Sequence, residues 1–461
     1  MAEGRGIPRR ECLRLGLLGG LGLTMPELFS LRAAADVPRR QRPGKARSCI
    51  LLFMYGGPAH QDIWDMKPDG PTEVRGEFKP ISTCVPGIQI CEHLPHLSKQ
   101  AHRYAIVRSL THADSVHETA FYTMATGRAR DAAVSSVPLP GDHPHMGSIV
   151  SLLSQSDSPL SPFVTTRQTL ENGGGEQHYP GLGTGFLDKA YEPVVLQSDQ
   201  LHRPGFEFAG LALPPDVSPE RFDQRRRLLA TANQQTSLDD QSAESGDHRN
   251  HRERAVSLLT SSAAQRAIDL SHEPASVRQR YGMSLYGQHL LLARRLVEAG
   301  VSLITVYYNL MIPRLPINNQ PLWDTHKSNF MYLKDHLLPS VDEPISVLLD
   351  DLDERGLLDE TLVVWSSEFG RTSGLNEFGG RDHWPGANSV VLAGGGIQGG
   401  QVYGVTDERA GYPVQDPVTP GQLAATIFHA LGIDPATQIH DKLQRPHHIA
   451  DGAPILDLFG G

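Results

Sequence analysis

The sequence predicts an α/β fold with a mainly parallel central sheet and helices on both of its faces. Three observations lead to this fold class: a continuous apolar run at 49–57 that ends in glycines, a regular alternation of strand-like and helix-like segments, and a glycine after each predicted helix. An apolar run of this length is typical of a strand that is buried on both faces. Strands that alternate with helices indicate parallel crossover connections.

Further strands follow the first one along the chain. Apolar runs at 104–110, 301–308, 361–367 and 388–396 predict four of them, and the shorter runs at 162–166 and 193–199 predict two more.

Three helices are predicted in the second half of the chain. Apolar residues at helical spacing predict a helix within 283–300, and Gly300 ends it. The same spacing predicts a helix over 341–355, which the next glycine ends. Thr419 begins a Thr-Pro-Gly-Gln sequence, which combines a capping residue, a first-turn proline and a capping-box glutamine. A third helix is therefore predicted from there to about Leu431.

The composition changes between residues 214 and 280, where polar, helix-prone residues replace strand formers. Charge runs of this kind are typical of solvated helical faces. We expect a helical insertion or cap at 214–280 within one α/β domain that covers residues 46–461.

The first 35 residues predict a twin-arginine export signal. Arg9 and Arg10 precede a short run rich in glycine and leucine, and three alanines at 33–35 follow it. The run is too short to span a membrane, so we expect no stable span after cleavage and a periplasmic or extracellular protein. An uncleaved anchor or a frayed helix are the alternatives.

The net charge and the cysteine content narrow the range of possible partners and structural sites. The net charge of −10 argues against nucleic acid as a partner. The absence of a Cys-x-x-Cys pair argues against a structural zinc site. Cys84 and Cys91 flank VPGIQI, which predicts either a hairpin closed by a disulfide or two unpaired buried thiols.

Acidic and imidazole side chains follow the predicted strands. In sheets of this class, ligands bind beyond the carboxyl ends of the strands. The residues at these positions are His60, Asp62 and Asp65; His112, Asp114, His117 and Glu118; Asp324 and His326; Glu368; and Asp382 and His383.

Carboxylates and neutral imidazoles are the ligands of divalent metals such as zinc and manganese, and carboxylates also bind calcium. We expect the glycine-rich segment GGRDHWPG, residues 379–386, to form one arm of a metal site. His383 is the expected ligand, and Asp382 is a ligand or the group that orients it. Each motif alone also fits a structural role: His383 could be a packed histidine, Asp324 a helix cap, and Glu368 the partner of Arg371.

Several motifs together resemble an uncharacterised family of twin-arginine-exported bacterial proteins that is placed in the alkaline phosphatase and sulfatase superfamily. The motifs are LLFMYGGPAHQDIWDMKP, HETAFYTMATGR, YGQHLLLARRLVEAGV, WDTH, LLDETLVVWSSEFGRT, GRDHWP and VVLAGGGIQGGQVYG. They extend over almost the whole chain after the signal. The resemblance implies an alkaline-phosphatase-like fold.

The resemblance also implies roles for individual residues. Sulfatases place a nucleophile ten residues before the glycine of a Thr-Gly-Arg sequence, and here that position is His117. A histidine there could bind metal, transfer a proton or, less often, act as the nucleophile, and Ser115 and Thr119 are nearby hydroxyls. An acid after the first strand binds metal in the superfamily, and Asp62 or His60 would fill that role.

One metal site of the superfamily pattern is matched by Asp324, His326 and His383. The other would be built from Asp62, Glu368 and His117, but Phe369 stands where the pattern has a metal-binding histidine. Two-metal phosphomonoesterase chemistry therefore does not follow from the resemblance, and a one-metal hydrolase fits as well.

The preferred function is an exported metal-dependent hydrolase of an anionic ester, a sulfate or phosphate on a small molecule or polysaccharide. His117 would transfer a proton, and Arg371 or Arg128 would hold the anion, with Arg381 as a further candidate. One alternative is a non-catalytic metal- or ligand-binding module on the same fold. Another is an iron enzyme with two histidines and one carboxylate, built on Asp324, His326 and His383.

Overall fold

A computed structural model of the chain describes residues 44, 46–130, 137–154, 158, 160–167, 179–203, 205, 206, 208, 216–236, 261–308 and 323–460. The predicted signal at 1–35 lies outside these residues. They contain an eight-stranded sheet, whose strands we number in chain order: β1 (Ser48–Met54), β2 (Tyr104–Leu110), β3 (Phe163–Arg167), β4 (Val194–Gln197), β5 (Leu303–Tyr308), β6 (Thr361–Ser366), β7 (Asn388–Ala393) and β8 (Gln401–Tyr403).

The strand order across the sheet is β8-β2-β7-β6-β1-β5-β3-β4. Strand β1 lies inside the sheet and pairs in parallel with β5 and β6, which agrees with its fully buried side chains. Strand β7 alone runs antiparallel to its neighbours β2 and β6. The predicted mainly parallel sheet is therefore confirmed, whereas the three-residue edge strand β8 was not predicted.

The helices of the described residues are numbered in the same way. They are α1 (His60–Ile63), α2 (Thr72–Arg75), α3 (His117–Thr126), α4 (Met146–Leu153), α5 (Pro219–Thr236), α6 (Ser262–Ile268), α7 (Ala275–Arg280), α8 (Leu285–Glu298), α9 (Asn329–Tyr332), α10 (Leu338–Glu354) and α11 (Pro420–Ala430). Short 3-10 helices lie at Leu97–Arg103, Lys189–Tyr191, Leu270–His272, Leu358–Glu360 and Leu456–Leu458, and a π-helical segment at Leu333–Leu337 leads into α10.

Helices cover both faces of the sheet, as predicted. Side chains of β1 alternate between the two faces because successive residues of a strand point in opposite directions. Ile50 and Leu52 belong to the hydrophobic cluster that contains α8 and α10, whereas Leu51 and Phe53 belong to the cluster that contains α3, α4 and α11. Each side of the sheet therefore has its own hydrophobic core.

The predicted helix ends are confirmed with one shift. Helix α8 begins after the cap Ser284, and Gly300 follows its end with a φ of 79°. Helix α11 has the predicted capping box between Thr419 and Gln422. Helix α10 begins at Leu338, three residues before its predicted start, because the preceding π-helical segment already turns the chain.

Within 214–280, helices α5, α6 and α7 lie in the described residues, and residues 237–260 lie outside them. Arg294 on α8 is fully buried and binds Glu273, which lies near the C-terminal end of the 214–280 segment. Its Nη2 lies 2.8 Å from Oε2 of Glu273, and its Nε lies 2.9 Å from Oδ2 of Asp351 on α10. The described end of the segment is therefore tied to two core helices.

Cys84 and Cys91 are free thiols, so the alternative of a disulfide is wrong. A hairpin does form, between the strands Pro80–Ser82 and Gln89–Cys91. Cys91 opposes Pro80 in this hairpin and is buried in the core, whereas Cys84 lies in the connection and is exposed. Two more small ribbons pair Val405–Thr406 with Pro413–Gln415 and Gln438–His440 with Pro446–His448.

Among the described residues, no helix is both long enough and apolar enough to cross a bilayer.

Candidate metal centre

The antiparallel strand β7 explains how the GGRDHWPG segment reaches the carboxyl edge of the sheet. Strands β6 and β7 are antiparallel neighbours, so the connection at 367–387 leaves and returns at the same edge. Within it, Gly370–Arg371 pairs with His383–Trp384 as a two-stranded ribbon. His383 therefore stands opposite Arg371, close to where β6 ends.

Three side chains converge at this edge. Nε2 of His326 lies 3.0 Å from Oδ1 of Asp324, and Nε2 of His383 lies 3.1 Å from the same oxygen. The two Nε2 atoms are 2.9 Å apart. The structure thus brings together the three residues that the sequence predicted as one metal site.

The other nitrogen of each imidazole is held by an acceptor. Nδ1 of His326 lies 2.8 Å from Oδ1 of Asp382, which also accepts a hydrogen bond from the amide of Asn376 at 3.1 Å. Nδ1 of His383 lies 2.8 Å from the carbonyl oxygen of Ser115. Such acceptors fix the tautomer of an imidazole and are the usual outer partners of metal-binding histidines.

This donor set fits a metal ion. When Nδ1 donates its hydrogen, Nε2 of a neutral imidazole presents a lone pair. Two lone pairs and the carboxylate oxygen of Asp324 then face one another, an arrangement that a cation at their centre would stabilise. Ligand atoms bound at about 2.0–2.2 Å from a metal ion are themselves about 3.0–3.5 Å apart, so only a small outward shift of these atoms from 2.9–3.1 Å would admit an ion.

His117 stands next to the three donors as the first residue of α3. Its Nδ1 lies 2.6 Å from Oε1 of Glu368, and its Nε2 lies 3.3 Å from Oδ2 of Asp324. Ligand atoms of His117, Asp324 and His383 all lie within 4.8 Å of one another. Burial lowers the pKa of His117, but the hydrogen bonds and charges of Asp324 and Glu368 outweigh this and raise that pKa to about 9.

Asp324 is the electrostatic centre of the site. Burial alone would raise the pKa of its carboxyl group, but the close contacts with His117, His326 and His383 and the charge of Arg371 lower that pKa far below its usual value. Asp324 therefore stays ionised and available to a cation.

Arg371 is fully buried, and protein oxygens surround its guanidinium. Nε donates to the carbonyl of Gly57 at 2.8 Å and Nη1 to the carbonyl of Arg381 at 2.9 Å. Nη2 contacts the carbonyl of Gly56 and the carboxylate of Asp324. The guanidinium thus links three parts of the chain. These are the connection after β1, the segment that carries Asp324, and the GGRDHWPG segment.

Phe369 forms one wall of the site. Its ring centroid lies 5.0 Å from that of His117 and 4.4 Å from that of His383. Tyr55 lies beside His117, with ring centroids 5.4 Å apart. The aromatic residue that departs from the superfamily pattern therefore packs against two of the imidazoles.

Glu368 is buried between backbone groups and His117. Oε1 accepts the backbone N–H of Gly56 at 2.7 Å, and the carbonyl oxygen of Glu368 lies 2.7 Å from Nε2 of His112. Oε2 has no hydrogen-bond partner among the described residues. Gly56 has a φ of 115°, and a Cβ on it would lie 2.6 Å from the backbone nitrogen of Asp324, so only glycine fits here.

The structure does not bring Asp62, Arg381, His60 and Arg128 into this cluster. Asp62 and Arg381 form a fully buried ion pair with contacts of 2.8 and 2.9 Å. Nε2 of His60 lies 2.8 Å from the carbonyl oxygen of Ala410. Arg128 contacts the carbonyl of His448 and lies 3.4 Å from Asp451.

Sequence reasoning did not single out three groups that shape the site. These are the backbone carbonyl of Ser115, the side chain of Asn376 and the backbone N–H of Gly56. Backbone groups leave no signal in residue types. The glycines at 56 and 57 are the one available signal for the Gly56 N–H, because glycine lets the backbone approach a neighbouring group closely.

No curated protein matches the chain. Among solved structures, it is similar to a phosphonate monoester hydrolase from Silicibacter pomeroyi, with 13% identity, a TM-score of 0.41 and coverage of 89% of this chain and 76% of the other. It is also similar to a sulfatase from Pseudoalteromonas sp., with 12% identity, a TM-score of 0.37 and coverage of 89% and 72%. A third similar structure is a protein in the alkaline phosphatase superfamily from Vibrio parahaemolyticus, with 10% identity, a TM-score of 0.39 and coverage of 85% and 67%.

A family model described as "Protein of unknown function (DUF1501)" matches residues 46–459, almost all of the chain after the predicted signal. This match confirms the expectation that the motifs mark a family of unknown function. The chain belongs to the DUF1501 family.

Proposed function

We propose that this protein is an exported metal-dependent hydrolase that cleaves an anionic ester, a sulfate or a phosphate. The observation that carries the proposal is the convergence of Asp324, His326 and His383, whose donor atoms lie 2.9–3.1 Å apart. Asp382 and the carbonyl of Ser115 contact the Nδ1 atoms of the two imidazoles and orient the rings, as outer partners of metal ligands usually do.

The donor types favour zinc or manganese. Two imidazole nitrogens and one carboxylate oxygen suit these ions, whereas calcium prefers an all-oxygen shell. When bound, such an ion would supply Lewis-acid polarisation of an ester oxygen. Arg371 would keep Asp324 in place, because its guanidinium contacts both that carboxylate and three backbone carbonyls around it.

We assign proton transfer to His117. Its Nε2 is buried and faces Oδ2 of Asp324 at 3.3 Å, so it points into the proposed metal site. Its Nδ1 is anchored by Glu368, which orients the ring in the same way that a carboxylate orients other catalytic imidazoles. Phe369 and Tyr55 restrict the ring from the sides.

The contacts of the three arginines that the sequence suggested for anion binding support other roles. Arg371 is saturated with protein oxygens, Arg381 is paired with Asp62, and Arg128 contacts the carbonyl of His448. We therefore assign the binding of the anionic group to the metal ion and His117.

A metal-content measurement tests the proposal. The purified protein, prepared without chelator, is compared with His383→Ala and with His440→Ala, which removes an exposed histidine as a matched control. We expect zinc or manganese in the wild type and the control, loss of that metal in His383→Ala, and metal-dependent cleavage of aryl sulfate or aryl phosphate. No metal after addition of divalent ions would contradict the proposal, and metal without turnover on either ester class would favour a binding module.

An iron enzyme is the second candidate, because two histidines and one carboxylate on one face are also the ligands of non-haem iron oxygenases. The same metal analysis separates the two. Iron as the retained metal, with activity that depends on oxygen, would support this candidate over the hydrolase.

A further inference from the structure

We infer that the centre holds a single metal ion, because the guanidinium of Arg381 and the ring of His117 already occupy the positions next to the acids that would bind a second one. The inference rests on the proposed metal site and concerns the number of ions in it. The carboxylates in question are Asp62, Glu368 and the second oxygen of Asp324.

Asp62 forms a bidentate ion pair with Arg381. Nε and Nη2 of the guanidinium lie 2.8 and 2.9 Å from its two carboxylate oxygens, and the amide of Asn329 donates to Oδ2 at 2.8 Å. Both side chains of the ion pair are fully buried. A bidentate pair of this kind satisfies the carboxylate in charge and in hydrogen bonds, so no donor oxygen is left over for a metal ion.

The ring of His117 lies between the other two acids. Nδ1 faces Oε1 of Glu368 at 2.6 Å, and Nε2 faces Oδ2 of Asp324 at 3.3 Å. A second ion that bridged Glu368 and Asp324 would need this space. The imidazole fills it, and Phe369 and Tyr55 hold the ring there from the sides.

The remaining donors do not form a second set. Among the described residues, His117 also forms a group of three with Asp324 and His383, whose ligand atoms lie within 4.8 Å of one another. This group shares Asp324 and His383 with the proposed site, so it provides no separate position for a second ion. The unpartnered Oε2 of Glu368 is a single oxygen and does not make a site by itself.

Metal stoichiometry tests the inference. The purified protein is loaded with excess Mn²⁺, desalted, and analysed by elemental analysis and electron paramagnetic resonance. We expect about one Mn²⁺ per chain and the spectrum of an isolated ion. Two ions per chain with an exchange-coupled spectrum would overturn the inference but leave the proposed function intact, whereas absence of bound metal would overturn both.

His117→Asp tests the reason for the single ion. Aspartate is favourable at the first position of a helix, and it would place a third carboxylate between Glu368 and Asp324. We expect this variant, with its fold checked by circular dichroism, to take up a second Mn²⁺ and to give the coupled spectrum. A folded variant that still binds one ion would overturn the role of His117. The wild-type stoichiometry decides the number of ions even where the variant does not fold.

Discussion

His326 and His383 face each other through their Nε2 atoms at 2.9 Å, while the Nδ1 atom of each imidazole is held by a different acceptor, Asp382 in one case and the carbonyl of Ser115 in the other. The hydrogen of each imidazole then points outwards, and the two lone pairs point at each other and at Asp324. A shared cation stabilises this arrangement.

Metal removal should lower the stability of the folded protein. An ion that binds the native state alone stabilises it by about 2.7 kcal/mol when the ion is present at about a hundred times its dissociation constant. We expect chelation to lower the thermal midpoint of the wild type and of His440→Ala, and zinc or manganese to restore it. His383→Ala should respond to neither treatment, and a wild type that is equally insensitive would contradict the metal site.

Asp382→Asn should weaken metal binding without unfolding the protein. The asparagine side chain can still accept the hydrogen bond from Nδ1 of His326, but it removes the negative charge that makes the imidazole a better ligand. Substitutions of such outer partners typically reduce metal affinity by about 10–100-fold. Competition with a fluorescent chelator measures the affinity, and Asp359→Asn, at an exposed acid outside the site, is the matched control. An unchanged affinity would show that Asp382 does not orient His326.

Arg371→Met should destabilise the metal-free protein strongly. It leaves the carboxylate of Asp324 without its guanidinium partner, and breaking a buried ion pair on one side costs about 3–5 kcal/mol. A bound metal ion compensates the same carboxylate, so we expect a smaller loss when metal is present. Urea unfolding with chelator and with manganese measures both values.

Arg47→Met is the matched control for Arg371→Met. Arg47 is an exposed arginine paired with Glu360, and its removal should cost no more than about 1 kcal/mol in either condition. Equal losses for the two variants would contradict the role of Arg371.

Stability should fall as the pH drops below about 6.5, because buried histidines in the core are held neutral. Burial lowers the pKa of His145 to about 3 and that of His289 to about 4. These values lie below the unfolded value of about 6.5, so the unfolded chain binds more protons in this range. The stabilisation is complete above that pH and is lost on acidification.

His145→Asn isolates one such group. The asparagine can still accept the N–H of Gly147 that caps α4, but it does not titrate. Urea unfolding between pH 7.5 and 5 should give a dependence on pH that is shallower by up to about 1.4 kcal/mol per pH unit. If the free energy of unfolding changed with pH equally in the variant and the wild type, the result would contradict a neutral, buried His145.

Much of the fold could be predicted because local signals and tertiary packing agree. The apolar run of β1, the capping box at Thr419 and the glycine that follows α8 each act within a few residues of chain, and each lies where the sequence predicted it. The direction of β7 left no such signal. An apolar run is equally compatible with a parallel and an antiparallel strand. Only the pairing of β7 with β2 and β6 decides that β7 is antiparallel.

The sequence by itself determined the fold class, the family and the residue types at the carboxyl edge of the sheet, because spacing and composition are local properties. The resemblance had already grouped Asp324, His326 and His383, and their contacts agree with it. Only the tertiary structure decided that Asp62 pairs with Arg381 and not with the other candidate ligands. It also left Cys84 and Cys91 apart. The physical reason is that a buried carboxylate must find a cation, and which cation lies within reach depends on strands far apart in the chain.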